Sequence, residues 1–113
     1  MRTLFKSEAF ERFYASLEPQ AKTKMDYALT LLAQMKIVST KFVKKIKGTD
    51  FYELRVSSSN EYRILALCLD NDNIIEAGQV VLLNGFLKKA TKDYQAQIKK
   101  AERIVKELSD DKD

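Results

Sequence analysis

The apolar residues of this chain change their spacing twice, and that change limits the folds open to it. From Ser7 to Met35 they recur every three or four positions, the rhythm of helices with one buried face. Phe10, Phe13, Tyr14 and Leu17 make such a face behind Ser7, whose hydroxyl can cap the first turn. Glu18-Pro19 interrupts the pattern. A second helix is predicted from Pro19 or Gln20 to Met35, with Met25, Ala28, Leu29, Leu32 and Met35 as its stripe, widened by Tyr27 and Leu31. The short break between them implies a helical hairpin.

Past Phe51 the pattern becomes that of strands. Phe51-Tyr52-Glu53-Leu54-Arg55-Val56 is the first candidate, Ser57-Ser58-Ser59-Asn60 a turn, and Glu61 to Leu69 a longer second strand. Asp70-Asn71-Asp72-Asn73 reads as another turn, and a third strand is expected from Ile74 to about Leu83, with Gly78 as a bend. The helical rhythm then returns. A last helix is predicted from near Thr91 with Tyr94, Ile98, Ala101, Val105 and Leu108 inward, and the acidic tail after Leu108 is expected to fray. The sum is one α+β domain over residues 1–113: a helical hairpin on one face of a small antiparallel sheet, with a C-terminal helix and an open face for binding.

Composition supports a single packed domain. The 113 residues are 45% hydrophobic and 32% charged, with only three glycines and one proline to serve linkers. The net charge of +4 is unevenly spread: Lys36, Lys41, Lys44, Lys45 and Lys47 have no acid among them, whereas residues 51–78 are net acidic. Phe42, Val43 and Ile46 lie between these lysines and can anchor the segment with its charges outward. Such a patch suits phosphate neutralisation, and equally a plain solvated surface. The start of the chain has no apolar core of signal-peptide type, and no stretch approaches membrane-spanning length, so a cytoplasmic location without membrane contact is expected.

Catalytic options are few. There is no histidine, and the one cysteine, Cys68, lies in the apolar run Ile64 to Leu69, where a thiol acts as a small hydrophobe. A metal cluster, a phosphate-binding glycine loop and a histidine-activated nucleophile are therefore not legible. Cationic side chains remain. Arg55 and Arg63 occupy consecutive strands, where each can pair with Glu53 or Glu61 or, together, clamp a phosphate. Strand parity opposes the clamp: a two- or four-residue loop puts them on opposite faces, and only a bulge or an odd loop unites them. Lys88 and Lys89 follow Asn84-Gly85-Phe86-Leu87 at a strand end, a place suited to active groups or to mere solubility. Tyr52, Tyr62 and Phe86 can stack on bases, although core packing explains them more simply.

Val43-Lys44-Lys45-Ile46-Lys47-Gly48, Phe51-Tyr52-Glu53-Leu54-Arg55-Val56, Tyr62-Arg63-Ile64-Leu65 and Val81 to Ala90, in that order, resemble the RelE/ParE superfamily of toxins, most closely its HigB-type, phage-derived subfamily. The likeness covers nearly the whole chain. It implies a RelE-like α+β fold and the toxin half of a toxin–antitoxin pair, a metal- and cofactor-independent ribonuclease that cleaves mRNA in the ribosomal A site. It also implies a cognate antitoxin, often with a helix-turn-helix domain. Carried onto these residues, it gathers Lys47, Arg55, Arg63, Lys88 and Lys89 around one concave site and resolves the parity conflict by an irregular hairpin. Arg55 and Arg63 would clamp the phosphate, Lys47 or Lys89 would assist proton transfer, and Lys44, Lys45 and Lys88 would neutralise backbone charge. Asn84 stands where many relatives have histidine; it can position a phosphate or water but cannot exchange a proton near neutral pH. Two other readings stay open, a gyrase-poisoning toxin of the same superfamily and a noncatalytic nucleic-acid- or antitoxin-binding protein.

Overall fold

The computed structural model describes residues 1–89 and 93–110. In chain order it comprises β1 (Thr3–Lys6), α1 (Glu8–Ala15), α2 (Pro19–Gln34), β2 (Val43–Lys45), β3 (Phe51–Ser57), β4 (Glu61–Cys68), β5 (Gln79–Leu87) and α3 (Asp93–Asp110). Both helices of the hairpin lie where the spacing puts them. The Ser7 hydroxyl accepts from the Phe10 amide at 3.1 Å and donates to the Leu83 carbonyl at 2.9 Å, so one side chain caps α1 and ties it to β5. Pro19 opens α2, where its missing N–H costs nothing. Ala21, Met25, Ala28, Leu29 and Leu32 are buried as an i, i+3, i+4 stripe, but Tyr27 and Met35 of the predicted stripe are exposed.

The sheet is larger than the sequence suggests. Its order is β1-β5-β4-β3-β2, antiparallel except for β1, which runs parallel to β5. The two edge strands escape pattern reading because one is four residues long and the other carries two exposed lysines. Arg2 holds the start of β1 in place. Its buried guanidinium donates to the carbonyls of Leu32, Met35 and Lys36 at the C-terminus of α2 and to that of Ile74, so a cation completes the negative end of a helix.

The third predicted strand starts later than expected, at Gln79 instead of Ile74. Short polar side chains capture the intervening backbone. Asn71 Oδ1 accepts from the Asn73 amide, Asn73 Oδ1 from the Ile75 amide, and the Asp70 carboxylate from the amides of Gly78 and Gln79. Ile74 is buried at the base of this loop and not in a strand.

Both faces of the sheet are covered, contrary to the expectation of an open one. Leu54, Val56, Ile64, Ala66, Val80 and Leu82 pack with Phe10, Met25 and Leu32 of the hairpin. Phe51, Leu65, Val81, Leu83 and Phe86 pack on the other side with Ala101, flanked by Tyr94, Ile98 and Val105 of α3. The inward stripe of α3 is the predicted one with Ile104 added and without Leu108, which is 37% exposed. This helix continues through Asp110, past the point where fraying was expected; its predicted start at Thr91 and the tail 111–113 lie outside the described residues.

Two glycines are forced. Gly48 has φ +79°, a turn conformation that favours glycine. At Gly85 a Cβ would stand 2.3 Å from the Phe13 ring, so α1 crosses β5 there only because the side chain is missing. Next to it the β4–β5 register slips between Ile64 and Ala66, leaving Leu83 and Asn84 together opposite Leu65. That bulge turns Asn84 toward α3.

Candidate active site

Arg55 and Arg63 are direct cross-strand partners. The parity conflict is settled by loop length: Ser57 pairs with Glu61, so three residues form the turn and the register runs regularly through the whole β3–β4 ladder. The hairpin is therefore odd-looped and not irregular. Both arginines stand on the α3 face of the sheet, together with Phe51, Glu53 and Leu65.

Glu53 joins them. Its Oε1 accepts from Arg55 Nε at 2.9 Å and lies 3.1 Å from Arg63 Nε, the second contact being an ion pair without hydrogen-bond alignment. Its Oε2 accepts from the Tyr94 hydroxyl at 2.6 Å. Burial, then this hydrogen bond, pushes the Tyr94 phenol up to about 12, so it is a proton donor throughout the physiological range. Arg63 Nη1 also donates to the Tyr62 carbonyl at 2.9 Å and reaches Glu61 at 3.5 Å. Glu61 lies below the usual carboxylate range because the Ser57 hydroxyl donates to it, with Arg63 and Lys88 adding positive charge nearby. The side chain of Arg63 is 6% exposed and that of Arg55 36%. Among the described residues the only hydrogen bond of the Arg55 guanidinium is through Nε, so its two terminal nitrogens keep their donors for a ligand.

The other candidate residues divide. Lys44 pairs with Glu53 across β2–β3 and so shares the face of the arginines, whereas Lys45 pairs with Tyr52 on the reverse face and places its ammonium 5.2 Å from that ring. Val43 is buried and Phe42 and Ile46 half-buried, anchoring this segment as predicted. Lys47 is exposed in the β2–β3 turn, about 16 Å along β3 from Arg55 at the usual strand rise. Lys88 closes on the start of β4, its amide donating to the Glu61 carbonyl at 2.9 Å, and Lys89 follows it, exposed. Asn84 is 1% exposed, and its amide donates to the backbone and side chain of Gln97 on α3, out of reach of RNA. Tyr62 and Phe86 are buried core residues, and the Tyr52 hydroxyl is bonded to the backbone at Asp72 and Ile74. Glu53 was foreseeable as an ion-pair partner of Arg55, two positions away on the same strand face; Tyr94, 41 residues distant, carried no such signal.

Beside Arg55 the hairpin and the end of β3 leave an apolar groove of about 700 Å³, lined by Tyr27, Ala28, Leu31, Phe42 and Val56, with Lys24 and Arg55 on its walls. Among the described residues no three metal-ligating side chains cluster, and no helix is long and apolar enough to cross a membrane.

Comparison with known proteins bears on the fold and the family. No curated protein matches the chain by sequence. Among solved structures, the intact Escherichia coli RelBE toxin–antitoxin complex contains a chain that superposes with a TM-score of 0.61 at 16% identity, covering 80% of this chain and 100% of that one. A doubly arginine-substituted E. coli RelE toxin in the free state gives 0.60 at 18% identity, over 90% and 95%. The isolated E. coli RelE toxin gives 0.58 at 14%, over 88% and 97%. These likenesses bear out the expected RelE-like fold. The family described as phage-derived Gp49-like proteins matches residues 12–106. With most of its length so matched, the chain belongs to the phage-derived Gp49-like family and has the architecture of RelE.

Proposed function

We propose that this protein is the toxin of a toxin–antitoxin pair and a ribonuclease that cuts mRNA in the ribosomal A site. The observation that carries the reading is the cross-strand pairing of Arg55 with Arg63, which puts two guanidinium groups on one sheet face with Lys44 beside them. In the reaction the RNA 2′-oxygen bonds to the adjacent phosphorus and the P–O5′ bond breaks. The 2′-hydroxyl proton passes to a base, the departing 5′-oxygen takes up a proton, and a 2′,3′-cyclic phosphate remains. The open fork of Arg55 meets the charge that develops on the phosphorane oxygens. Arg63, buried behind it, supplies a fixed second charge. Lys89 assists proton transfer, Lys47 lying at the far end of β3 from Arg55, and Lys44 and Lys88 neutralise neighbouring phosphates. Asn84 and Lys45, by their placement, serve α3 and Tyr52 instead.

The partner is an antitoxin with a helix-turn-helix domain. The contiguous apolar groove, with only cationic charge on its walls, suits an amphipathic acidic segment of such a protein. The test maps RNA ends after brief induction of the wild type and Arg55→Ala. New ends within translated codons, present with the wild type alone, are expected. Growth arrest without new ends would point to a protein target, and neither arrest nor ends from folded protein would leave a noncatalytic binder.

A further inference from the structure

We propose that Glu53 is the positioning residue of the arginine pair and, through its charge, a built-in competitor of the phosphate. This inference rests on the ribonuclease reading and names a group that the reading does not need. A pocket meant only to hold phosphate gains nothing from a buried carboxylate at its centre. Glu53 cancels one of the two guanidinium charges and repels any anion that approaches them. Its contacts explain the placement. One oxygen meets the Nε of both arginines, at 2.9 and 3.1 Å, and the other accepts from Tyr94 at 2.6 Å.

Arginine side chains carry large rotamer entropy, and a clamp whose forks wander is a poor template for in-line attack. Engaging Nε leaves the terminal edge of Arg55 as the one that meets an incoming phosphate. The carboxylate itself is held by Tyr94 from α3, so its position does not depend on the arginines alone. Glu53 thus lowers the affinity of the site for RNA and raises its turnover.

A residue that merely supports the fold would lose binding and turnover together when replaced; this one moves them in opposite directions. Glu53→Gln keeps the size and a hydrogen-bond acceptor but removes the charge. It is expected to bind an RNA carrying a 2′-deoxy nucleotide at the cleavage position roughly tenfold more tightly, with a steeper salt dependence. Its kcat is expected to fall at least roughly tenfold, the arginines no longer being fixed by a charged partner. Glu53→Asp keeps the charge and shortens the reach, so its affinity for the same RNA stays near that of the wild type while kcat falls. Thermal melts establish that each variant is folded, and the Asp variant decides alone should the Gln variant not fold. Equal or weaker RNA binding by folded Glu53→Gln overturns the proposal, as does unchanged kcat in the Asp variant. Absence of cleavage by the wild type sinks the ribonuclease reading instead, and the binding comparison still decides the role of Glu53.

Discussion

Arg55 and Arg63 face each other across β3 and β4, yet the side chain of the first is 36% exposed and that of the second 6%. The difference separates two effects of removing a charge. Arg55→Ala takes away the more exposed of the two partners of Glu53, screened in part by solvent, and should cost about 1 kcal/mol or less. Arg63→Ala opens a buried space and strips a buried carboxylate of one cation, which should cost ~2–3 kcal/mol. Both should abolish cleavage. Urea unfolding of the two variants beside the wild type checks the contrast; equal losses would mean that Arg63 is not buried in solution.

The close pass of α1 over β5 gives a second expectation. A methyl at Gly85 would meet the Phe13 ring at 2.3 Å, and the ring is wedged between Phe10 and Tyr62. Gly85→Ala should therefore destabilise by about 1–3 kcal/mol through overpacking. In a Phe13→Ala background the same change should cost much less. A double-mutant cycle read by denaturant midpoints measures the difference, and strict additivity would place the conflict elsewhere.

Arg2 makes the N-terminal residues part of the fold. Arg2→Met removes the donor that serves the carbonyls of Leu32, Met35, Lys36 and Ile74, and a cation at the C-terminus of α2. A loss of ~2–4 kcal/mol is expected. Amide exchange should quicken first in the last turn of α2 and in β1; uniform quickening across the sheet would argue against a local clasp.

Much of the fold was legible because local chemistry and burial agree. Ser7, the aromatic face behind it and Pro19 each point to the helical hairpin that forms. Reading failed where a contact distant in sequence decides. Thr3–Lys6 becomes a strand because β5 offers it an edge and Arg2 finds four carbonyls, none of which is visible in a four-residue segment. Ile74 and Ile75 resemble the start of a strand, but the side chains of Asp70, Asn71 and Asn73 claim the backbone around them.

The site divides in the same way. Arg55 and Arg63 were readable as candidates, whereas their shared face hinges on a single residue of loop length among three serines and an asparagine. Lysine-rich motifs give composition without direction, so Lys44 and Lys45, adjacent in sequence, point to opposite faces once β2 forms. Tyr94 was readable as part of an apolar stripe, but its hydroxyl was not assigned until α3 docked over Glu53.

That docking can be followed by pH. The Tyr94 phenol is pushed up to about 12 from an ordinary 10, by burial first and by its bond to Glu53 second. The folded protein therefore keeps this proton longer than the unfolded chain does. The stability so gained is whole below about pH 10 and is lost as pH rises from there toward 12. Wild type should accordingly lose stability more steeply over that window than Tyr94→Phe, which has no proton to release. The Cys68 thiol, itself pushed up to about 11 chiefly by burial, is common to both proteins and cancels in the difference. Below the window the two curves should run parallel, offset by the donor that Glu53 has lost. Urea unfolding at a series of pH values, with the difference between the proteins plotted, reads this directly. A constant difference across the window would mean that the Tyr94 phenol is neither buried nor donating to Glu53, and that α3 is held to the sheet by the rest of its apolar stripe and by the Asn84–Gln97 hydrogen bonds.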